Sequence, residues 1–288
     1  ARLVITLIRT AVKYGAAAAS RVKVTEVLKD GRGRACGVKA VDLENGNEFT
    51  IEADRIINAT GVWTEQTQEL AGGTGGLKVL TSKGIHIVIP RERLKATTGL
   101  FLRTEKSVLF IIPWQHYWVI GTTDTAWHEQ LKHPVPTSED IDYVLDHANE
   151  VLDPPLTRDD IIGTYAGLRP LLQPKVLDES KSTKVSREHT VTEVIPGMVA
   201  IAGGKLTTYR VMAEDAVNFA LGQSLAKARP SVTAQLPLLG AEGFDAVENQ
   251  ARRLGVKYGF DADRLHHLVR RYGSEPVSYT HLTLPTIY

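Results

Sequence analysis

One cysteine and two methionines stand in 288 residues, and neither sign of charge is in excess: 34 Lys and Arg face 33 Asp and Glu, a formal net charge of +1. The lone Cys36 excludes an internal disulfide framework and a cysteine-rich metal site, and an ordinary strand position is expected for it. Without a basic tract or an acidic tail, nucleic acid and other polyanions are poor partners. No run reaches the roughly 18 apolar residues of a spanning helix, and no charged-then-apolar leader opens the chain. The chain therefore reads as soluble, or as membrane-associated at most through its surface.

What is present is concentrated in Ile201-Ala202-Gly203-Gly204-Lys205-Leu206-Thr207-Thr208-Tyr209-Arg210. An apolar strand there runs into a glycine pair and then into a helix predicted from Lys205 to about Leu221. Two glycines let backbone approach a ligand closely, a first helical turn offers unpaired N–H groups, and Lys205 adds a positive charge. Such a junction suits an anion or a cofactor. It also suits a loop that merely turns the chain.

Both ends look cut. Ala1 opens inside a helical pattern over residues 1–15 (Leu3, Leu7, Ile8, Ala11, Val12 and Tyr14) with no initiator methionine and no cap, so the native chain is expected to begin earlier. Residues 277–288 break the preceding helical pattern and are expected to be a non-native tail. Between them, Val22 to Leu28, Ala35 to Leu43 and Glu48 to Ala53 alternate around Asp30-Gly31 and Asn45-Gly46 turns, which predicts an antiparallel meander. Arg55 to Gly61 predicts a buried central strand of a parallel sheet. Ile85 to Ile89, Ser107 to Ile112 and Tyr117 to Gly121, separated by Pro90 and Pro113, predict a second sheet. A helix from Ser138 to Val151, with Ser138 as N-cap and Ile141, Val144, Leu145 and Ala148 on one face, is expected to cover it. Val211, Met212, Ala216 and Phe219 are the apolar positions expected in the helix after Lys205. Everything from Gly243 onward patterns as helix.

Seven ordered segments add a resemblance: Ile57-Asn58-Ala59-Thr60-Gly61-Val62-Trp63, Lys83 to Val88, Ile112-Pro113-Trp114, Ile120 to Asp124, Gly167-Leu168-Arg169-Pro170, Ser186-Arg187-Glu188-His189, and Gly203 to Arg210. In this order they resemble the FAD-dependent glycerol-3-phosphate dehydrogenases of the D-amino-acid-oxidase-like superfamily. The resemblance implies a mixed α/β flavoprotein: an incomplete Rossmann-like FAD-binding domain, an antiparallel β-sheet substrate domain and a C-terminal helical module. It places the FAD part at residues 1–75 and again at 198–222, the substrate domain at 76–197 and the start of the helical module at 233–276. The G-x-G-x-x-G turn that holds the FAD pyrophosphate in such proteins does not occur in this sequence. The chain is thus expected to be a fragment, inactive by itself.

The resemblance also implies a chemistry. The C2 hydrogen of sn-glycerol 3-phosphate passes as hydride to the flavin, dihydroxyacetone phosphate leaves, and a quinone takes the electrons. His86 is then the group that accepts the C2 hydroxyl proton or polarises that oxygen, where the residue alone would equally be a hydrogen-bonded strand histidine. Arg169 and Arg187 are implied to face the substrate, with forks suited to a phosphate dianion; Arg169 could instead meet the hydroxyl that is oxidised. Lys205 is implied to stabilise the reduced flavin and to reach substrate, and Thr208 to bind the phosphate. The FAD contacts implied are Val24, Thr60, Gly61, Gly204, Lys205, Leu206 and Thr207, the last of these also a candidate cap. Gly121 to Asp124 forms a turn near the flavin or a purely structural one, and Trp114, Trp118 and Trp127 are core or interface aromatics. No metal is expected. Family members sit on the inner face of the respiratory membrane, often as oligomers. An amine or 2-hydroxy-acid oxidoreductase of the same superfamily, and a non-catalytic anion-binding fragment, remain as alternatives.

Overall fold

The computed structural model describes residues 2–72, 76–105, 108–172 and 188–276. Arg187 and the expected tail at 277–288 lie outside the described residues. The chain forms two compact units: Ala1–Val22 with Pro230–Tyr288, and Lys23–Arg229.

In the first unit, α1 (Arg2–Lys13) belongs with α6 (Phe244–Asn249), α7 (Ala251–Tyr258) and α8 (Ala262–Tyr272). Thr10 is the buried residue of α1; its hydroxyl donates to the Thr6 carbonyl and accepts the Leu239 N–H at 3.1 Å. Arg9 pairs with Glu275 at 3.0 Å. Asp261 caps α8 by accepting the Arg264 N–H, and Leu265 and Val269 bury its apolar stripe.

In the second unit, β1 (Val22–Lys29), β2 (Ala35–Asp42) and β3 (Glu48–Glu52) form the predicted meander. Asp30 closes its first turn by accepting the N–H groups of Arg32 and Arg34, and Gly46 takes the left-handed conformation the second turn needs. Cys36 lies on β2, exposed.

The segment read as a buried central strand differs. β4 (Ile56–Asn58) pairs in parallel with β12 (Met198–Gly203), and β12 pairs antiparallel with β11 (His189–Ile195). Among the described residues β4 is therefore an edge of a mixed sheet, with Ile57 exposed. A 3-10 turn at Gly61–Trp63 and the short α2 (Thr64–Glu69) follow it.

The second sheet has the order β10-β5-β8-β7-β6, from β5 (Val79–Pro90), β6 (Leu100–Arg103), β7 (Val108–Trp114), β8 (Tyr117–Gly121) and β10 (Gly163–Leu172), with β9 (Thr125–Ala126) also paired to β5. Its neighbours run antiparallel. Alternation divides β5: Ile85, Ile87 and Ile89 face inward with Leu109, Ile111, Trp118 and Ile120, and Val144, Leu145 and Ala148 of α3 (Ser138–Asn149) complete that core. Each fully buried Ile stabilises by about 1.5–3 kcal/mol, so this packed face fixes the register and leaves the other face available.

The N-cap of α3 is Thr137, one residue before the expected Ser138. Its hydroxyl accepts the Asp140 N–H while the Asp140 carboxylate accepts the Thr137 N–H, the reciprocal pattern that a Ser138 cap would lack. The Asp140 carboxylate also pairs with Lys83 of β5 at 2.6 Å, both side chains buried.

After β12 the chain makes a 3-10 turn at Leu206–Thr208 before α4 (Tyr209–Leu221) and α5 (Gln223–Ala228), so the helix begins four residues later than predicted. Val211 and Phe219 of α4 are exposed and Ala216 is buried. Of the tryptophans expected as core or interface aromatics, Trp118 is in the core, where its indole N–H donates to the Arg91 carbonyl; Trp127 lies under the Lys83 ammonium, and Trp114 is exposed. No helix among the described residues is long and apolar enough to cross a membrane.

Candidate active site

On the face of β5 away from α3, Ser82, Gly84 and His86 follow one another at period two. Residues paired directly across a ladder share a face, so Gly121 of β8 and Tyr165 of β10 flank His86, Gly167 stands opposite Gly84, and Arg169 stands opposite Ser82. The structure thus brings His86 and Arg169, 83 positions apart in sequence, onto one surface.

His86 stacks on Tyr165, ring centroids 4.9 Å apart and planes 11° from parallel. Its ring lies over Gly121, where any Cβ would meet it and the Ile85 carbonyl. Burial, and secondarily the Arg169 cation, hold the imidazole pKa below its ordinary value, so the ring is neutral at pH 7 and can accept a proton. Burial raises the Tyr165 phenol.

Arg169 is held by the turn after β8. Its guanidinium donates to the Thr122 hydroxyl at 2.8 Å and to the Thr123 carbonyl at 3.1 Å, and stands 3.7 Å from the nearly buried Asp124 carboxylate. Ser82 donates its hydroxyl to Asp124. Gly84 leaves room for this arrangement, because a Cβ there would collide with the guanidinium and the Thr122 hydroxyl. The Gly121 to Asp124 turn is therefore a bracket for Arg169. Sequence reasoning gave Asp124 only a place in the Gly121 to Asp124 turn and gave Ser82 and Tyr165 no role; the period-two run Ser82, Gly84, His86 was the available signal.

The glycine pair has a role within the chain itself. Gly203 and Gly204 have φ of +80° and +72°, and a Cβ on Gly204 would collide with the Met212 side chain of α4. Replacing Gly204 by alanine should lower stability by about 1–3 kcal/mol through left-handed strain plus overpacking, and Met212→Ala added to it should recover the overpacking part. Urea denaturation of the two variants measures this; equal losses would show that Met212 is not the obstacle.

Lys205, Leu206, Thr207 and Thr208 are exposed after this loop. The Thr208 hydroxyl donates to the Lys205 carbonyl at 3.0 Å and accepts the Lys205 N–H, so in this structure it closes the turn. Lys205 and Thr208 line a pocket of about 590 Å³ with Glu188, His189, Val211 and Asp215; His189 and Asp215 pair at 2.7 Å. Sequence reasoning gave that pair no role.

The residues fit one end of a flavin. Parallel β4 and β12 finish at the same edge, the side of an α/β sheet where ligands bind. β4 leads to Thr60, whose hydroxyl donates to Asn58, and to Gly61 at φ +61°, where a Cβ would lie 4.0 Å from Pro170, the neighbour of Arg169. The strand end that would meet a flavin thus reaches β10 at Pro170. Val24 sits half-buried on β1, in a different sheet. No cluster able to hold a metal occurs among the described residues.

A sheet surface bearing an imidazole and a bracketed guanidinium, beside an α/β sheet with a parallel strand pair, is compatible with a flavoprotein. The chain belongs to the DAO family of FAD-dependent oxidoreductases, which matches residues 1–210. It is 48% identical over 274 residues to glycerol-3-phosphate dehydrogenase 2 of Mycobacterium tuberculosis, covering 95% of this chain and 46% of that protein. It is 35% identical over 285 residues to the human mitochondrial glycerol-3-phosphate dehydrogenase, 96% of this chain and 38% of that one. The structure of the glycerol-3-phosphate dehydrogenase of Bacillus halodurans complexed with FAD superposes with a TM-score of 0.83 at 34% identity, over 96% of this chain and 54% of that one. L-proline dehydrogenase of P. horikoshii, at 17% identity and a TM-score of 0.55, shares the fold. The chain spans about half the length of the curated relatives it matches or less.

Proposed function

We propose that the full-length protein oxidises sn-glycerol 3-phosphate to dihydroxyacetone phosphate with FAD as cofactor and a quinone as final electron acceptor. The observation that carries this is the neutral His86 beside the cationic Arg169 on one accessible sheet face. The naming of several relatives for this reaction supports the substrate.

When bound, FAD supplies the hydride acceptor. His86 takes the proton of the C2 hydroxyl at an imidazole nitrogen, and the low basicity imposed by burial keeps that nitrogen available at neutral pH. Arg169 orients an oxygen of the substrate and opposes the negative charge that grows on it; its bracket spares it reorganisation. Lys205 brings a second cation from the glycine loop, and Arg187, outside the described residues, is proposed as the phosphate fork. Thr60, Gly61, Gly204, Leu206 and Thr207 are proposed as flavin contacts through their backbone, Val24 as a contact to the adenine. Peripheral attachment at the inner face of the plasma membrane and association into oligomers belong to the same proposal.

Anaerobic bleaching of the flavin tests it. The full-length FAD-loaded protein should bleach with sn-glycerol 3-phosphate and stay coloured with glycerol, 2-hydroxy acids or amino acids. A flavin that binds but is reduced only by one of the latter overturns the substrate.

A further inference from the structure

Three glycines lie close together on the accessible face of β5, β8 and β10, and only two are accounted for by their surroundings. Gly84 is covered by Arg169 and Thr122, and Gly121 by the His86 ring. Gly167, directly opposite Gly84, has nothing among the described residues within 4 Å of where a Cβ would stand, is exposed, and does not adopt the left-handed backbone that demands glycine. Glycine inside a strand weakens it relative to alanine, and it marks places where a ligand approaches the backbone. On its own strand the side chains on the same face are Tyr165 and Arg169, whose Cα atoms are roughly 13 Å apart at about 3.3 Å per residue. The Tyr165 and His86 stack walls one end of this gap, and the Arg169 guanidinium, lying over Gly84, walls the side toward β5.

We propose that the gap over Gly167 is the seat of the substrate carbon chain, and that the missing side chain at Gly167 is the residue-level determinant of which small alcohols enter. The occupant is a short-chain secondary alcohol carrying oxygens at both ends, its hydroxyl turned to His86 and an oxygen turned to Arg169. This deepens the glycerol 3-phosphate reading and rests on it. A Cβ at position 167 stands where the carbon chain would lie and meets no described residue within 4 Å.

The test is a graded series, Gly167→Ala, Gly167→Val and Gly167→Leu, in the full-length FAD-loaded protein. Bound FAD and melting temperature should stay at the wild-type values. The ratio kcat/KM for glycerol 3-phosphate should fall about 10-fold for Ala and at least about 100-fold for Leu, the scale on which one added methylene discriminates in a pocket. Unchanged turnover in the Leu variant overturns the proposal, and so does a loss of FAD in step with activity, which would make the gap a flavin seat. If the unaltered protein does not bleach with glycerol 3-phosphate, the functional reading fails by itself. The seat is then judged from perturbation of the flavin spectrum by 2-hydroxy acids and amino acids: a ligand seen by the unaltered protein and lost in the Leu variant sustains it, and equal binding by both removes it.

Discussion

His86→Ala in the full-length FAD-loaded protein should slow flavin reduction by sn-glycerol 3-phosphate about 10²–10⁴-fold, the usual worth of a positioned acid–base group, with FAD retained. The pH profile separates this role from a structural one. Only the neutral imidazole accepts a proton, so activity falls as pH drops through its pKa, and burial with Arg169 places that limb below the ordinary histidine value of 6.5. The acid limb of kcat/KM should therefore lie below pH 6.5 in the unaltered protein and vanish in the alanine variant. Arg169→Gln removes the smaller of the two causes, so in that variant the limb should move up, and burial should still keep it under 6.5. An acid limb that survives unchanged in His86→Ala would assign the base to another group.

The second large effect concerns stability. Lys83 and Asp140 are 3% and 5% exposed and 2.6 Å apart, and the same carboxylate accepts the Thr137 N–H. Lys83→Ala leaves that charge buried without its cation and should destabilise by about 3–5 kcal/mol; Lys83→Met, which restores packing, should cost nearly as much because the carboxylate is still orphaned. Burial pushes the Asp140 carboxyl up, and the Lys83 ammonium with the Thr137 N–H and hydroxyl outweigh it, leaving the pKa below the ordinary value of 3.8. A depressed carboxyl contributes stability above its unfolded pKa and loses it as pH falls through the folded one. The unaltered protein should thus lose this contribution only below about pH 4. Without Lys83, burial dominates and the loss should begin at higher pH. Denaturation midpoints followed across pH decide the matter, and coincident curves for the two proteins would contradict the pair's role.

Much of this was legible before the fold was known. Ile85, Ile87 and Ile89 alternate cleanly because one face of β5 is buried, and the meander turns carry their own chemistry in Asp30-Gly31 and Asn45-Gly46. β10 was not legible as a strand. Gly163, Gly167 and Pro170 interrupt its alternation, and its register comes from ten consecutive pairs with β5 rather than from propensity. The importance of His86 and Arg169 could be read from a resemblance, yet the bracket of Ser82, Thr122, Thr123 and Asp124 could not, since those residues meet Arg169 only across the folded sheet. The glycine pair was legible as special, and for a reason only half related to ligands: α4 packs its Met212 against the position a side chain would take.

β5 and β10 run together from one core into the other. At one end Val79 and Leu172 pack with Met198, Ala200 and Ala202; at the other, Ile85, Ile87 and Ala166 pack under α3. Gly167 and Arg169 stand on this two-stranded girder between its embedded ends, and His86 stands within the end under α3. A girder held at both ends resists bending but can still twist about its length. A change of angle between the two cores would therefore rotate the imidazole and the guanidinium by different amounts, because they stand at different points along it. Their mutual aim is then a readout of how the two cores are set, and a substitution in either core can detune the site without touching it.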